Sequence, residues 1–269
     1  MTEPKPLAVI TGASSGIGAT FARALAAQGF DLVLVARRED RLRTIANLLG
    51  NQFHVQCTVI TADLTNDAEL RKVEEFLAGA PNLQRLVNNA GFGSLQRFPE
   101  APVESQDAMH RLHVLATMRL THAALRSMSP RNQGAIINVS SVAAFVPRPG
   151  STSYYATKAW MNCFTEGLHL ELKSAGSGVR MQALCPGFTM TEFHDVLGIR
   201  RDFIGGAWWM SAEDVVNASL RGLEKGSLFV VPGWRYKLLV SLLRIMPRPV
   251  VHYALTKGPA SLRREREKR

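Results

Sequence analysis

Cysteine is scarce in this sequence: Cys57, Cys163 and Cys185 are three among 269 residues. Thiols so few and so scattered build neither a disulfide framework nor a thiolate metal cluster, and no metal is expected. Each sits in a mostly apolar run, which predicts buried free thiols in a reducing, cytoplasmic setting. Long apolar runs are missing too, as no stretch reaches the roughly 18 residues that a membrane-spanning helix needs. The polar stretch 1–6 leads straight into a short apolar run, without the anatomy of a signal peptide. Acidic residues are rare at the C-terminal end. From Gly233 onward ten basic residues are met only by Glu265 and Glu267, so this tail carries eight of the ten net positive charges. The body before it is nearly neutral, which argues against nucleic acid as a partner.

What is present suits a globular α/β chain. With 46% hydrophobic and 20% charged residues, a chain of this length buries about 70–75% of its unfolded surface without staples. Short β-branched runs at 7–10, 31–36, 55–61, 85–89, 135–139, 179–185 and 228–231 alternate with helical patterns at 17–28, 40–49, 66–78, 105–128, 153–174 and 211–224. The strand runs are nearly all apolar rather than alternating, as strands buried on both faces are. Such alternation predicts a Rossmann-type, doubly wound parallel sheet in one domain over 1–232, followed by a basic helical extension over 233–269. Ligands of such sheets bind beyond the carboxyl ends of the strands.

The first strand runs into Thr11-Gly12-Ala13-Ser14-Ser15-Gly16-Ile17-Gly18. Glycines there let the chain turn tightly and let backbone amides approach a pyrophosphate. The helix that follows points its positive end at that anion. Farther along stand Asp63-Leu64, Asn88-Asn89-Ala90-Gly91, Ser141, Tyr154-x-x-x-Lys158 and Pro186-Gly187, followed by Thr191. This series, in this order, resembles the short-chain dehydrogenase/reductase family in its compact form, and the resemblance covers about 7–231.

At the end of the second strand, NAD users place a carboxylate on the adenosine ribose. Here Ala36 is followed by Arg37 and Arg38, which suits the 2′-phosphate of NADP. Arg37 is the first choice for that contact and Arg38 the second; a solvated start to the next helix is the plainer reading. The resemblance implies that Asp63 and Leu64 flank the adenine, that Asn89, Ala90 and Gly91 line the adenosine and ribose, and that Pro186, Gly187, Thr189 and Thr191 meet the nicotinamide end.

Tyr154 and Lys158 share one helical face. A nearby ammonium and an oxidised nicotinamide both favour a phenolate, drawing the phenol pKa down. The resemblance implies Tyr154 as proton donor in carbonyl reduction and base in alcohol oxidation, Lys158 on the nicotinamide ribose, and Ser141 on the substrate oxygen. Tyr155 and Ser140 are neighbouring registers that miss the family spacing. Many relatives carry an asparagine in the preceding long helix, where it holds a water in a proton relay. Here the matching position is His113, whose imidazole either bridges to water or packs on the helix.

Between the sixth strand and Ser211 lie Phe188, Phe193, Val196, Leu197, Phe203, Ile204, Trp208, Trp209 and Met210, with Gly198, Gly205 and Gly206 among them. The resemblance makes 188–210 a lid over an apolar carbonyl or alcohol substrate; the plainer reading is core cover. Phe92, Phe145 and Val146 are candidates for the same wall. In the extension, Trp234, Leu238, Leu239, Leu242 and Ile245 fall near one helical stripe, which fits either protein packing or an anionic membrane surface. Relatives associate through the helices at 105–128 and 153–174, so a homodimer or homotetramer is expected. An NADP-binding sensor with little turnover is the alternative to an enzyme.

Overall fold

In a parallel sheet covered on both faces, the residues of the central strands are buried, and successive residues feed opposite cores. Strand β1 (Leu7–Thr11) does this along its whole length. Ala8 and Ile10 join one hydrophobic cluster, Leu7 and Val9 the other. The computed structural model describes residues 4–146, 149–193, 197 and 205–256. Val196, Gly198, Phe203 and Ile204 of the expected lid, and the tail from Lys257 onward, lie outside the described residues.

The remaining strands are β2 (Asp31–Ala36), β3 (Cys57–Thr61), β4 (Leu83–Asn88), β5 (Gly134–Val139), β6 (Val179–Leu184) and β7 (Phe229–Val230). They form one seven-stranded sheet in the order β3-β2-β1-β4-β5-β6-β7, and every neighbouring pair is parallel. The strand order therefore reverses between β1 and β4, and it is at the carboxyl ends of such a pair that sheets of this kind form their ligand crevice. Helices α1 (Gly16–Ala27) and α2 (Glu39–Phe53) cover one face, and Phe21, Leu25, Leu42 and Leu49 are buried there with Ile10 and Leu34. On the opposite face α3 (Asp67–Gly79) contributes Leu70, Val73 and Leu77, against Val9, Val33 and Leu86. Each such side chain contributes about 1.5–3 kcal/mol through burial.

The expected helix at 105–128 is not continuous. It comprises α4 (Val103–His110), a π-helical segment Arg111–Ala116 and α5 (Thr117–Met128). Strand β4 ends one residue earlier than expected, at Asn88, because Asn89 turns aside to bond with β1. Long helix α6 (Thr152–Ser174) carries Cys163 on its exposed side, whereas Cys57 is half-buried and Cys185 is buried. An apolar run alone does not bury a thiol when its helix shows one side to water. After β6 come α7 (Ala212–Glu224), β7, and then α8 (Trp234–Ile245) and α9 (Arg248–Thr256) of the extension. Among the described residues, no helix is long and apolar enough to cross a membrane.

Candidate active site

The crevice is fastened by Thr11, the last residue of β1. Its hydroxyl donates to the Val87 carbonyl at 3.3 Å and accepts from the backbone N–H groups of Asn89 and Ala90, at 2.9 and 3.0 Å. The Asn89 amide returns bonds to the carbonyls of Thr11 and Gly12. Two loops thus lie against each other with no room for side chains. A Cβ on Gly12 would stand 2.7 Å from Asn89 Nδ2, and one on Gly18 would stand 2.3 Å from the Gly12 carbonyl oxygen. Gly12 and Gly16 also adopt φ of +65° and +55°, the left-handed region that glycine enters without steric cost. The N-cap of α1, Ser15, makes no side-chain bond to the first-turn amides, which leaves that end of the helix open. Alongside, Ala90 and Gly91 continue the Asn89 loop.

Both arginines after β2 are present at the rim, in different surroundings. The Arg38 guanidinium donates to the Ser14 hydroxyl from two nitrogens, at 3.1 and 2.9 Å, and to the Ser15 hydroxyl at 2.8 Å. A further nitrogen meets the Glu192 carboxylate at 2.9 Å, and Arg41, one turn into α2, meets the other oxygen of that carboxylate at 2.6 Å. These bonds, from Arg38 and then Arg41, hold the Glu192 carboxyl below its ordinary pKa. Arg37 has a side chain 74% exposed and, among the described residues, reaches only Asp63, at 3.8 Å. Burial pushes the Asp63 carboxyl up, but bonds from the Thr65 backbone and hydroxyl, helped by Arg37, outweigh it and hold the group low. Leu64, next to it, is buried. The Glu192 carboxylate on two guanidiniums marks an anion site beside the glycine turn. Together with the cradle that a Cβ would fill, it fits a phosphorylated dinucleotide.

At the carboxyl end of β5, adjacent serines diverge. Ser140 is buried and its hydroxyl donates to the Lys158 carbonyl at 3.1 Å. Ser141 caps a short 3-10 turn, Val142–Phe145, by accepting from the Ala143 N–H, and it also bonds to the Tyr154 phenol. Tyr154 and Lys158 rise from α6 into the same space, with the Lys158 ammonium 5.8 Å from the centre of the phenol ring. That ammonium donates to the Val139 carbonyl at 2.7 Å. Burial dominates both titrations. It pushes the phenol up to about 12, against the bond from Ser141, and the ammonium down to about 8. Within the chain alone, enclosure of the ring outweighs its neighbours and the phenol holds its proton at neutral pH; the charge of an oxidised nicotinamide, on which the expected lowering also depends, is a separate contribution.

His113, in the π-helical segment, is fully buried with its ring edge-on to Tyr154 at 5.9 Å. Its Nε2 accepts from the Phe92 backbone N–H at 3.2 Å. A backbone N–H only donates, so the ring proton is on Nδ1, which donates to Thr157 Oγ1 at 2.9 Å. Both nitrogens are occupied within the protein. Burial first, then the Lys158 charge, holds the imidazole pKa well below its ordinary 6.5.

The loop after β6 closes the site. Thr191 lies against Gly16, where a Cβ would be 3.1 Å from the threonine side chain. Thr189 is buried, its hydroxyl donates to the Gly187 carbonyl, and it pairs with Met210. Pro186, just before Gly187, accepts a backbone bond from Val142. Phe193 stands 6.0 Å from the Tyr154 ring, and Phe193 and Leu197 both approach Gly93. Phe92 joins this wall through His113 at 6.0 Å. Phe145 does not; it packs on Phe229, with the Arg244 guanidinium over both rings. Sequence reasoning missed Arg41, Thr157, Glu192 and Tyr236. The Tyr236 ring fills the place of a Gly187 side chain, and its hydroxyl donates to the Trp208 carbonyl and accepts from the Phe188 N–H. A tyrosine 49 positions beyond a glycine leaves no local signal.

The sequence profile of the short chain dehydrogenase family matches residues 6–200. The chain belongs to the short-chain dehydrogenase family. Relatives of this dehydrogenase include the very-long-chain 3-oxoacyl-CoA reductase of Rattus norvegicus, 34% identical over 191 residues. That match takes in 69% of this chain and 60% of the reductase, so it leaves a substantial part of the relative without a counterpart. A short-chain dehydrogenase from Sphingobium yanoikuyae, solved in complex with NADPH, superposes with a TM-score of 0.81 at 34% identity, covering 90% of this chain and 96% of that one. The bulky-bulky ketone specific alcohol dehydrogenase from Comamonas testosteroni gives a TM-score of 0.77 at 33% identity, covering 90% and 95%.

Proposed function

We propose that this short-chain dehydrogenase is an NADP(H)-dependent oxidoreductase that reduces the carbonyl group of an apolar substrate to a secondary alcohol. The observation that carries this reading is the enclosed Tyr154 phenol, bonded to Ser141 and one helical turn from Lys158, beside an anion-holding glycine crevice. When bound, NADPH would supply the hydride that the carbonyl carbon takes up. Tyr154 gives its phenolic proton to the carbonyl oxygen, and Ser141 donates a hydrogen bond to that oxygen as charge develops on it. Lys158 stabilises the phenolate left behind, and its ammonium, depressed to about 8, lies close enough to neutrality to pass a proton on. A phenol protonated at neutral pH fits reduction rather than oxidation.

For the coenzyme's 2′-phosphate we give first place to Arg38 with Arg41, and an outer place to Arg37, because Arg38 is already aimed across Ser14 and Ser15. The NADPH complex of the Sphingobium relative supports the choice of coenzyme. Phe92, Phe193 and Leu197 make the substrate wall apolar, and relatives named for very-long-chain acyl and bulky ketone substrates point the same way. His113 acts as a positioning residue that ties the Phe92 loop to α6. The setting is the cytoplasm, where the free thiols stay reduced.

Tyr154→Phe tests the reading. Turnover of bulky ketones, followed as loss of NADPH absorbance, is expected to fall by at least about 100-fold, with NADPH affinity unchanged. A variant that keeps its turnover removes Tyr154 from the chemistry, and a wild type that binds NADPH but reduces no carbonyl compound is a sensor.

A further inference from the structure

Helix α8 has two faces of different character. Its inner face holds Tyr236 and Val240, both buried. On its outer face Trp234 is 70% exposed, Leu238 63%, Leu242 47% and Ile245 80%. Their spacing of four, four and three residues makes one continuous stripe on a 3.6-residue helix. The apolar stripe that the sequence displays is thus the side turned away from the protein, and the helix is anchored through its other side. Val250 of α9 is exposed as well. Large apolar side chains grouped in this way on an outer surface mark an interaction site.

Charge decides the occupant. Between Gly233 and Arg264 the sequence has no acidic residue, and only Glu265 and Glu267 interrupt the basic residues after that. Lys237 and Arg248 are exposed beside the stripe. A second copy of this chain docked face to face would bring two strongly basic segments together. An anionic bilayer meets both requirements at once, with acyl chains for the stripe and headgroups for the flanking cations. Trp234, at the first position of the helix, has the amphipathic ring that favours the boundary between the two.

We propose that α8 docks this protein on anionic lipid bilayers, its Trp234-Leu238-Leu242-Ile245 stripe entering the headgroup boundary and the exposed Lys237 and Arg248 meeting the surface charge. This assignment concerns where the chain sits and is independent of the reaction proposed above. The test is sedimentation of the full chain with phosphatidylcholine vesicles, with and without phosphatidylserine. The full chain pellets with the phosphatidylserine vesicles, stays in solution with phosphatidylcholine alone, and is released as salt is raised. Leu238→Ser/Ile245→Ser, two changes on the exposed face, lowers vesicle binding by about tenfold or more, with melting temperature and NADPH binding unchanged. Three results overturn the proposal. The wild type stays in solution with phosphatidylserine vesicles at low salt; the double variant pellets as well as the wild type, so that the tail charge acts alone; or the stripe drives self-association that the double variant abolishes while vesicles bind neither protein.

Discussion

At the scale of single residues, Glu192 deserves a role of its own. Its carboxylate lies between Arg38 and Arg41, the two groups best placed to receive a coenzyme phosphate, and it is itself an anion. On the proposed placement of the 2′-phosphate, a dinucleotide that carries it has to displace this carboxylate, whereas one without it does not. Exposed ion pairs are individually weak, so the competition is modest. Glu192→Gln is expected to tighten NADPH by less than about tenfold and to leave NADH unchanged. Arg38→Ala removes charge-assisted bonds worth about 1.5–3 kcal/mol, so NADPH affinity falls by roughly 10- to 100-fold with little change for NADH. Arg37→Ala, which removes only the long contact to Asp63, costs less. Coenzyme fluorescence titration of the three variants ranks them, and a larger loss for Arg37→Ala than for Arg38→Ala returns the phosphate to Arg37.

At the scale of elements, the most informative departure from the sequence reading is the π-helical segment. Its apolar spacing continues that of α4 and α5, so periodicity alone draws a single helix. Within this wider segment His113 accepts a bond from the Phe92 N–H, on another loop, a contact that no local pattern encodes. The same contrast runs through the whole fold. The strands and the glycine crevice were legible because burial on both faces writes itself as apolar runs, and a backbone packed against another backbone writes itself as glycine. The partners of Gly187 and of Arg38 come from remote loops, so Tyr236 and Glu192 were not legible. The outward direction of the α8 stripe was not legible either, because amphipathicity tells that a helix has two faces but not which one the protein covers.

The burial of His113 has a consequence for stability. An unfolded imidazole titrates near 6.5, and in the folded chain burial, then Lys158, hold the group well below that value. Between these two values the unfolded chain carries a proton that the folded chain refuses. Stability therefore falls as pH drops below about 6.5, by roughly 1.4 kcal/mol per pH unit for this one group. His113→Asn takes away that contribution. Urea unfolding at about pH 7.5 and about pH 5.5 is expected to show a smaller loss for His113→Asn than for the wild type. Equal losses would mean that the imidazole takes up its proton without opening the fold.

At the scale of the whole molecule, two exposed apolar regions have to be kept apart. One is the α8 stripe, with Lys237 and Arg248 exposed beside it. The other lies along α4, the π-helical segment and α5, where Val103, Leu115 and Met118 are exposed, with Leu170 exposed on α6. The second region has both signs of charge nearby, for instance the Arg111–Asp107 and Arg119–Glu74 pairs, and so carries no bar to meeting its own copy. A two-fold contact needs a self-complementary surface of this kind. We expect the chain to form a dimer or tetramer through these helices, as its family resemblance implies. Leu115→Glu/Met118→Glu then yields a monomer by light scattering, with its circular dichroism and NADPH binding retained, because both positions face outward. Leu238→Ser/Ile245→Ser leaves the oligomer intact. A wild type that is monomeric at concentrations of about 10 μM, above those at which oligomers of ordinary interface size dissociate, would remove this surface from the assembly and leave α8 as the apolar face that still needs a partner.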